Sequence, residues 1–402
     1  MLTTAQASQA ISGSLRIFDS EDVPLAAAIG RILRQSIRAE RDQPPFDRVM
    51  MDGIAIDYPA LSSGIRQFAI QATQAAGDAV STLDDSGNCI EIMTGAVLPK
   101  NSDCIIPVER ISIRNGIAEI EADYQAEQGQ FIHTQGSDHK KGSEVLTSGT
   151  TISPMDVAII ASCGLETVGV SRKPAVSVIS TGNELIPPGR PIEDHQVRLS
   201  NGPALVAMLC DQGFDRCEHE HLPDEPDTLE KSLAEKLDKS DVMILSGGVS
   251  MGKADYVPQV MANLDVKLVF HKISQRPGLP MWFGTGPDDQ AVFALPGNPV
   301  SALVCCRQYV LPALFLASGR RQRGAETAVL AEDVSFTPGL TCFLPVRILE
   351  DTAGKVAAQP VPTNTSGDFA SLSGTHGYVE LAKDTSEFPE GTPVPLHRWS
   401  SP

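Results

Sequence analysis

The stretch AVSVISTGNE (residues 175–184) is a run of apolar, β-branched and small residues that ends in a glycine-bearing turn. The stretch DVMILSGG (residues 241–248) has the same form. Short apolar runs bounded by such turns are typical of strands buried on both faces of a parallel sheet. Apolar residues at helical spacing predict helices over residues 201–212 and 228–239. Strands that alternate with helices predict a parallel-sheet α/β domain over residues 173–320.

Four turns that contain glycine or proline each follow a predicted strand of this domain. Further strands are predicted at residues 267–272 and 291–295, with an edge strand at 218–221 and a long helix at 300–315. One such turn is an ordinary strand-to-helix connection, but several of them meet at the sheet edge where open α/β sheets bind ligands. Glycine there lets backbone N–H groups approach phosphate oxygens, so the spacing supports general phosphate binding. The turns are residues 181–184, 246–250, 276–280 and 296–301.

The chain on both sides of this domain has the shorter alternating pattern of β-rich domains. It begins with two predicted helices, at residues 5–18 and 25–34, which a Pro-Pro break at residues 42–47 separates from the strands. A helix over residues 154–162 is predicted to begin with Ser153 as its N-cap. The remaining predicted strands are residues 68–72, 89–93, 104–107, 117–120, 327–334, 342–349, 355–359 and 378–381.

We expect two to four domains, because 402 residues are too many for one ordinary core, and the change of pattern along the chain gives the following division. Residues 1–40 and 145–172 form an N-terminal helical linker region, and residues 41–144 form a small β-rich domain. The α/β domain over residues 173–320 follows, and a β-domain over residues 324–402 ends the chain. The expected fold class is α/β plus β-rich domains.

Composition restricts the partners and the compartment. A formal net charge of −18, without clustered Lys and Arg, argues against nucleic acid but leaves an anionic small substrate open. Residues 1–16 lack the apolar core of a signal peptide. The apolar stretch 299–318 contains Arg307 and Pro312, so it predicts a helix packed on the sheet rather than a membrane span. We expect a cytoplasmic protein without nucleic-acid or membrane partners.

Cysteine and histidine provide little sign of metal or nucleophile chemistry. The eight cysteines include no Cys-x-x-Cys pair and are interpreted as small buried apolar residues. His219 and His221 would share one face of a strand, but no third zinc ligand lies near them in the sequence.

Two acidic residues lie beside the predicted phosphate-binding turns. Glu184 ends the first turn and Asp255 follows the second. Two carboxylates at an anion site would repel the substrate unless a cation lies between them, and Mg²⁺ prefers carboxylate, phosphate and water oxygens. The alternative for Glu184 is a residue in the first turn of a helix, where the helix dipole favours acids.

The order and spacing of these motifs resemble MoeA-type molybdopterin molybdenumtransferases, including the corresponding domain of gephyrin-like proteins. The resemblance runs almost from end to end and is specific in combination. Its motifs are PFDR (residues 45–48), MDG (51–53), IMTGA (92–96), GSD (136–138), STGNEL (180–185), SN (200–201), SGGVS (246–250) with Asp255, RPGLP (276–280), LPGNPVS (295–301), SG (366–367), SL (371–372) and GY (377–378).

The resemblance implies an elongated multidomain subunit that forms a homodimer, with a central parallel-sheet domain that binds molybdopterin. The family cleaves adenylated molybdopterin in a Mg²⁺-dependent step and transfers molybdate to the dithiolene. It also implies transient contact with a molybdopterin adenylyltransferase and with factors that mature molybdoenzymes. Because the small β-domain is thought to reach the cleft of a partner subunit, the site is expected to be shared across the dimer.

By position, the resemblance assigns catalytic roles to Asp255, Glu184, Asp52 and Asp138, and metal binding to Asp255 and Glu184. Ser301, Arg347 and Ser371 are candidates for oxyanion contacts with molybdate. The full predicted substrate-binding set is Thr94, Thr181, Gly182, Ser246, Gly247, Gly248, Ser250, Arg276, Pro277, Gly278, Pro280, Pro296, Gly297, Asn298, Pro299, Ser301, Arg347 and Ser371.

Two positions depart from the family pattern, and two other functions stay open. Leu279 stands where the family often has lysine, and Ile54 stands where tyrosine is common, so both departures affect the molybdate end of the expected pocket. The alternative functions are a molybdopterin adenylyltransferase, which shares the α/β domain, and a non-catalytic cofactor carrier or scaffold. The extra β-domains disfavour the first alternative, and the acids at the sheet edge disfavour the second.

Overall fold

A computed structural model describes residues 1–248, 256–321, 324–337, 339–350 and 356–400. The chain forms two compact units. The larger unit contains Met1–Arg34, Ser148–Ile152 and Val168–Pro402, and the smaller unit contains Gln35–Thr147 and Ser153–Thr167.

A six-stranded sheet forms the centre of the larger unit. Four of its strands are parallel, as predicted for residues 173–320, and the other two are antiparallel to their neighbours. In spatial order the strands are Cys217–Leu222, Val176–Thr181, Val242–Ser246, Ala291–Leu295, Trp282–Thr285 and Lys267–His271.

Helices cover both faces of this sheet, because successive strand residues point to opposite sides. Val178 packs with Leu205 in one buried cluster, whereas Ile179 packs with Leu229 and Val260 in another. The helices of this domain are Asn201–Asp211, Pro226–Lys239, Val257–Asn263 and Pro299–Cys305, which continues through a π-helical turn at Cys306–Val310 into Leu311–Ala317.

The last of these helical stretches, Pro299–Ala317, is the one among the described residues that is long and apolar enough to cross a membrane. Of this stretch, 67% is buried inside the fold, which is the behaviour of a core helix. Ala302 and Leu311 pack in the same buried cluster as the central strands, so the predicted packing of this helix on the sheet is confirmed.

One prediction for the larger unit was wrong, and one strand was missed. Residues 25–34 are not a helix: Leu25–Ala27 form a single 3₁₀ turn, and Leu33 N then donates to Thr150 O at 2.9 Å. Pairing with a segment distant in sequence overrides the local helical spacing. The strand Trp282–Thr285 was not predicted, and it separates Lys267–His271 from the parallel strands. The first predicted helix is present, as Thr4–Gly13.

A second sheet of six strands follows the central one in the larger unit. It closes on itself because Thr341–Glu350 pairs with both Val356–Pro360 and Gly377–Leu381. Its other strands are Gln275–Arg276, Glu326–Leu330 and Pro393–Arg398, and the short elements of this unit are Ser20–Pro24, Thr167–Ser171, Leu185–Ile186, Val197–Arg198, Val334–Ser335, Phe369–Leu372 and Glu387–Phe388.

The smaller unit also contains a six-stranded sheet. The predicted strands at 68–72, 89–93, 104–107 and 117–120 are all present in it. The helix Pro154–Ser162 has Ser153 as its N-cap, as predicted. Its sheet strands are Cys104–Pro107, Gly53–Ile56, Asn88–Ile92, Gln67–Gln74, Ile117–Ile120 and Ile111–Arg114; its short elements are Ile37–Arg38, Arg48–Val49, Tyr58–Ser62, Val108–Arg110, Ile132–His133 and Glu144–Leu146.

An ion pair supports the start of the central strand Val242–Ser246. Arg172 donates to both carboxylate oxygens of Asp241, at 2.7 and 2.8 Å, and Ala175 N donates to Asp241 Oδ2 at 2.8 Å. Burial raises the pKa of Asp241, but these hydrogen bonds outweigh it and the pKa lies below its usual value. A lowered pKa contributes stability above the carboxyl group's unfolded pKa of about 4, which is lost as pH falls through the folded value.

We expect Arg172→Gln to lower the free energy of unfolding at pH 7 by about 2 kcal/mol, the size of a charged hydrogen bond. The difference from wild type should shrink as pH falls from about 4 through the lowered folded pKa of Asp241, since the carboxyl group is protonated in both proteins only below that value. Urea unfolding from pH 2 to 7 measures this. Arg38→Gln is the control, because Arg38 forms an exposed 3.7 Å pair with Glu144 that should contribute about 0.5 kcal/mol or less. If the difference in unfolding free energy between wild type and Arg172→Gln does not change with pH, the role assigned to the Arg172–Asp241 ion pair is contradicted.

Candidate functional site

A cavity of about 730 Å³ opens beyond the carboxyl ends of the central parallel strands. The ends of Val176–Thr181, Val242–Ser246 and Ala291–Leu295 form its floor, and the helix Asn201–Asp211 begins at its side. Its lining residues are Ser180, Thr181, Gly182, Glu184, Leu185, Val197, Arg198, Leu199, Ser200, Asn201, Asp224, Ser246, Gly247, Gly248, Pro280, Pro296, Gly297, Asn298, Pro299, Gly367 and Phe369.

Glycines allow two strand-end turns to approach each other closely on the cavity floor. A Cβ at Gly247 would lie 2.6 Å from Thr181 O, and a Cβ at Gly248 would lie 2.9 Å from Thr181 Oγ1. Both glycines have positive φ, at 103° and 66°. Thr181 is 3% exposed, and its hydroxyl has no hydrogen-bond partner among the described residues. A buried hydroxyl without a partner at a glycine-lined turn fits a site that receives a polar ligand.

Side chains beneath the floor hold these turns together. Asn201 Nδ2 donates to Ser246 Oγ at 2.9 Å and to Gly297 O at 2.8 Å, so one amide links the ends of two strands to a helix. His221 Nε2 lies 2.8 Å from Gly182 O. Because a carbonyl oxygen only accepts, His221 donates here and Nε2 carries the proton. Neither Asn201 nor His221 was among the predicted site residues.

His219 lies under the first turn of the helix Asn201–Asp211. Its Nε2 is 3.0 Å from Ser180 Oγ, and a Cβ at Gly202 would lie 1.9 Å from the same nitrogen. Burial lowers the pKa of His219, and His221 nearby lowers it further. The neutral imidazole is therefore favoured, as a packing and hydrogen-bonding residue.

The ionisable side chains of the described lining are Glu184, Asp224 and Arg198. Glu184 is exposed and lies in a turn before the short strand Leu185–Ile186, so its alternative interpretation as a helix first-turn residue was wrong. Asp224 was not predicted. Arg198 Nη1 donates to two backbone carbonyl oxygens, Pro187 O at 3.2 Å and Arg190 O at 2.7 Å.

The third predicted turn, residues 276–280, differs from the other three. Pro280 lines the cavity, but Arg276, Pro277 and Gly278 lie outside its described lining. Arg276 is in a strand that pairs with Cys342 of the closed sheet, and its guanidinium lies 4.9 Å from the centre of the Phe336 ring. A Cβ at Gly278 would lie 2.4 Å from Cys305 Sγ. Of this turn, only Pro280 reaches the described lining with the other three turns, and the strand Trp282–Thr285 lies between the strand before the turn, Lys267–His271, and the parallel strand Ala291–Leu295.

The three candidates for molybdate contacts also lie outside the described lining. Ser301 is 3% exposed within the helix Pro299–Cys305. Arg347 is exposed on the strand Thr341–Glu350, opposite Gln359. Ser371 Oγ donates to Asp368 O at 2.7 Å. Ser250 and Asp255 fall in 249–255, outside the described residues.

The predicted acids of the smaller unit form two local groups. Asp52 Oδ1 accepts hydrogen bonds from Thr94 Oγ1 at 2.7 Å and from Thr94 N at 2.6 Å. Both hydrogen bonds lower the pKa of Asp52, the one from the hydroxyl more than the one from the backbone, and so keep the carboxylate charged. Asp138 Oδ1 lies 2.9 Å from His133 Nε2. The other ring nitrogen of His133, Nδ1, lies 3.1 Å from Arg48. Each acid is therefore held by a named partner in its own unit.

Within the described ranges, no three His, Cys, Asp or Glu side chains come together as a metal-ligand set. Glu184 is the one predicted metal ligand that the structure places, and Asp224 lines the same cavity. Burial raises the pKa of the Cys89 and Cys104 thiols to about 12, so neither is a thiolate at neutral pH.

Three known family regions match the chain in order. The MoeA N-terminal region (domain I and II) matches residues 2–164, a probable molybdopterin binding domain matches 177–315, and the MoeA C-terminal region (domain IV) matches 327–399. A molybdopterin molybdenumtransferase of Synechocystis sp. is 36% identical over 99% of this chain and 100% of its own length. The chain belongs to the MoeA family of molybdopterin molybdenumtransferases.

Other family members support the same assignment. A molybdopterin molybdenumtransferase of Bacillus subtilis is 28% identical over 94% of this chain and 89% of its own length. The crystal structure of a molybdopterin biosynthesis MoeA protein from Pyrococcus horikosii superposes with a TM-score of 0.81 at 29% identity and covers 100% of both chains. The family resemblance and the α/β plus β-rich fold class are thereby confirmed. The cavity floor lies in the part that matches the molybdopterin binding domain.

Proposed function

We propose that this chain inserts molybdate into adenylated molybdopterin and releases AMP, forming the molybdenum cofactor. Full-length similarity to molybdopterin molybdenumtransferases carries the proposal. The cavity supports it independently, because its glycine-lined floor and a Thr181 hydroxyl without a partner among the described residues suit a phosphate-bearing ligand.

We further propose that the reaction depends on Mg²⁺, with Asp255 as principal ligand and Glu184 or Asp52 assisting. The described residues fit a hard cation: Glu184 and Asp224 offer carboxylate oxygens, and Thr181 offers a hydroxyl that lacks a partner in the described part of the chain. When bound, the ion would neutralise charge on the phosphoanhydride.

The chain itself supplies position and a pre-organised polar environment. The Gly247 and Gly248 backbone approaches the phosphates, and Asn201 holds the two strand-end turns at a fixed separation. Positioning of this kind contributes strongly to rate, so the reaction requires no protein nucleophile. A molybdate oxygen attacks the phosphorus on the molybdopterin side of the phosphoanhydride, the bond from that phosphorus to the bridging oxygen breaks, and AMP leaves with the bridging oxygen.

A homodimer completes the proposal, with Asp52, Thr94 and Asp138 presented to the cavity of the partner subunit. We also propose a cytoplasmic location and transient contacts with a molybdopterin adenylyltransferase and with maturation factors. Family membership and a composition without clustered Lys and Arg are the grounds for these proposals.

Product analysis tests the reaction. We expect purified chain, adenylated molybdopterin and Mg²⁺ to release AMP only when molybdate or tungstate is added. Comparison of the rates with the two oxyanions shows which of them the enzyme prefers. Pyrophosphate from ATP, Mg²⁺ and molybdopterin would instead identify an adenylyltransferase. If the chain binds adenylated molybdopterin but releases no AMP with either oxyanion, it is a carrier.

A further inference from the structure

An exposed aromatic ring at the cavity wall has no role in binding phosphate. The chain has 13 phenylalanines, all within the described residues, and Phe369 alone among them is exposed. Its exposed fraction is 47%. A ring left in water forgoes the free energy that burial of apolar surface provides. Its place in the lining of the cavity indicates that a ligand covers it.

The segment that carries Phe369 is fixed to the cavity by other residues. Val300 N donates to Ser366 O at 3.0 Å, and Asn298 Nδ2 donates to Ser366 Oγ at 2.8 Å. Leu372 packs against Val300 in a buried cluster. The ring of Phe369 is therefore presented at a defined position beside the turn that contains Asn298, although the ring itself contributes little to the core.

We propose that Phe369 stacks on a fused nitrogen heterocycle of the substrate, either the pterin or the adenine of adenylated molybdopterin. The inference rests on the proposed function and specifies where one of its rings lies. Aromatic side chains bind such rings through their flat faces without needing hydrogen bonds to them. A cavity of about 730 Å³ is within the usual range for a cofactor-sized ligand. The glycine-lined floor binds phosphate, and Phe369 binds a ring.

Equilibrium binding to the full chain separates the two rings. The ligands are AMP, molybdopterin and ribose 5-phosphate, which carries the phosphate without a base. We expect Phe369→Ala to weaken binding about tenfold for the ligand whose ring stacks, in line with loss of one stacking contact. Ribose 5-phosphate should bind wild type and variant equally.

Two further variants distinguish stacking of the Phe369 ring on the ligand from nonspecific apolar contact with it. Phe369→Trp should bind as well as wild type or better, whereas Phe369→Leu should resemble Phe369→Ala. Leu268→Ala is the matched control, because Leu268 is 57% exposed on an edge strand outside the described cavity lining. It should bind all three ligands as wild type does.

A selective loss for AMP assigns the adenine, and a selective loss for molybdopterin assigns the pterin; either supports stacking. Unchanged affinity of Phe369→Ala for both ligands, or full affinity in Phe369→Leu, would overturn it. The proposed function fails separately, if wild type releases no AMP in the oxyanion-dependent assay while it still binds these ligands. Thermal unfolding of the variants should stay within about 2 °C of wild type, because an exposed ring contributes little to stability.

Discussion

Gly247→Ala should reduce molybdate-dependent AMP release at least 100-fold while the chain still folds. A methyl group there would lie 2.6 Å from Thr181 O and 3.1 Å from Thr181 Oγ1, so the two strand-end turns would have to separate. The backbone φ of 103° adds strain for any residue with a Cβ. A displacement of about 1 Å in a positioning group can lower the rate about 100-fold.

Gly213→Ala separates the effect of contact from that of backbone strain. Gly213 has a φ of 85° with nothing within 4 Å of its added Cβ, and it lies outside the described cavity lining. This control should lose about 1 kcal/mol of stability and retain normal AMP release per folded molecule. Rates are measured alongside thermal unfolding of both variants. Near-normal AMP release by Gly247→Ala would show that close approach of the turns is not required.

The elements predicted correctly are those that local composition determines. Residues 175–184 and 241–248 are apolar runs with turns at their ends, and burial on both sheet faces leaves few other residue types there. Residues 25–34 misled the prediction because their helical spacing competes with pairing partners at 148–152 and 168–171, which the local sequence does not show.

The site was predicted where a motif coincides with a strand end. Asp224 was missed although it lies in the turn between the strand Cys217–Leu222 and the helix Pro226–Lys239, at the same carboxyl edge of the sheet as the predicted turns. Phe369 was missed because it reaches the cavity only through the tertiary fold. Asn201 could have been found from the sequence, since it is part of the Ser200-Asn201 motif. Its two hydrogen bonds to the neighbouring turns, however, form only in the folded structure. Arg276 shows the converse, a motif residue that the fold directs to the closed sheet.

Asp255→Ala should reduce AMP release by on the order of 100- to 1,000-fold, the usual loss when one pre-organised electrostatic contact is removed. Asp255 lies outside the described residues, so its assignment rests on family position. The chain on either side gives it context. Val257 Cγ2 lies 2.7 Å from the position of a Gly248 Cβ, so these two residues of the described chain are close together at the cavity floor.

The dependence of the AMP-release rate on Mg²⁺ concentration identifies the role of Asp255. If Asp255 holds the cation, Asp255→Asn should keep affinity for AMP in the absence of Mg²⁺ and require a higher Mg²⁺ concentration for half-maximal rate. Glu184→Gln should shift the same curve by less, since Glu184 is the assisting ligand and is exposed. Asp211→Ala is the matched control, because Asp211 ends the helix Asn201–Asp211 whose other end is at the cavity. AMP release by Asp255→Ala at the normal rate, with an unchanged Mg²⁺ requirement, would remove Asp255 from the site and leave Glu184 and Asp224 as the acids to test.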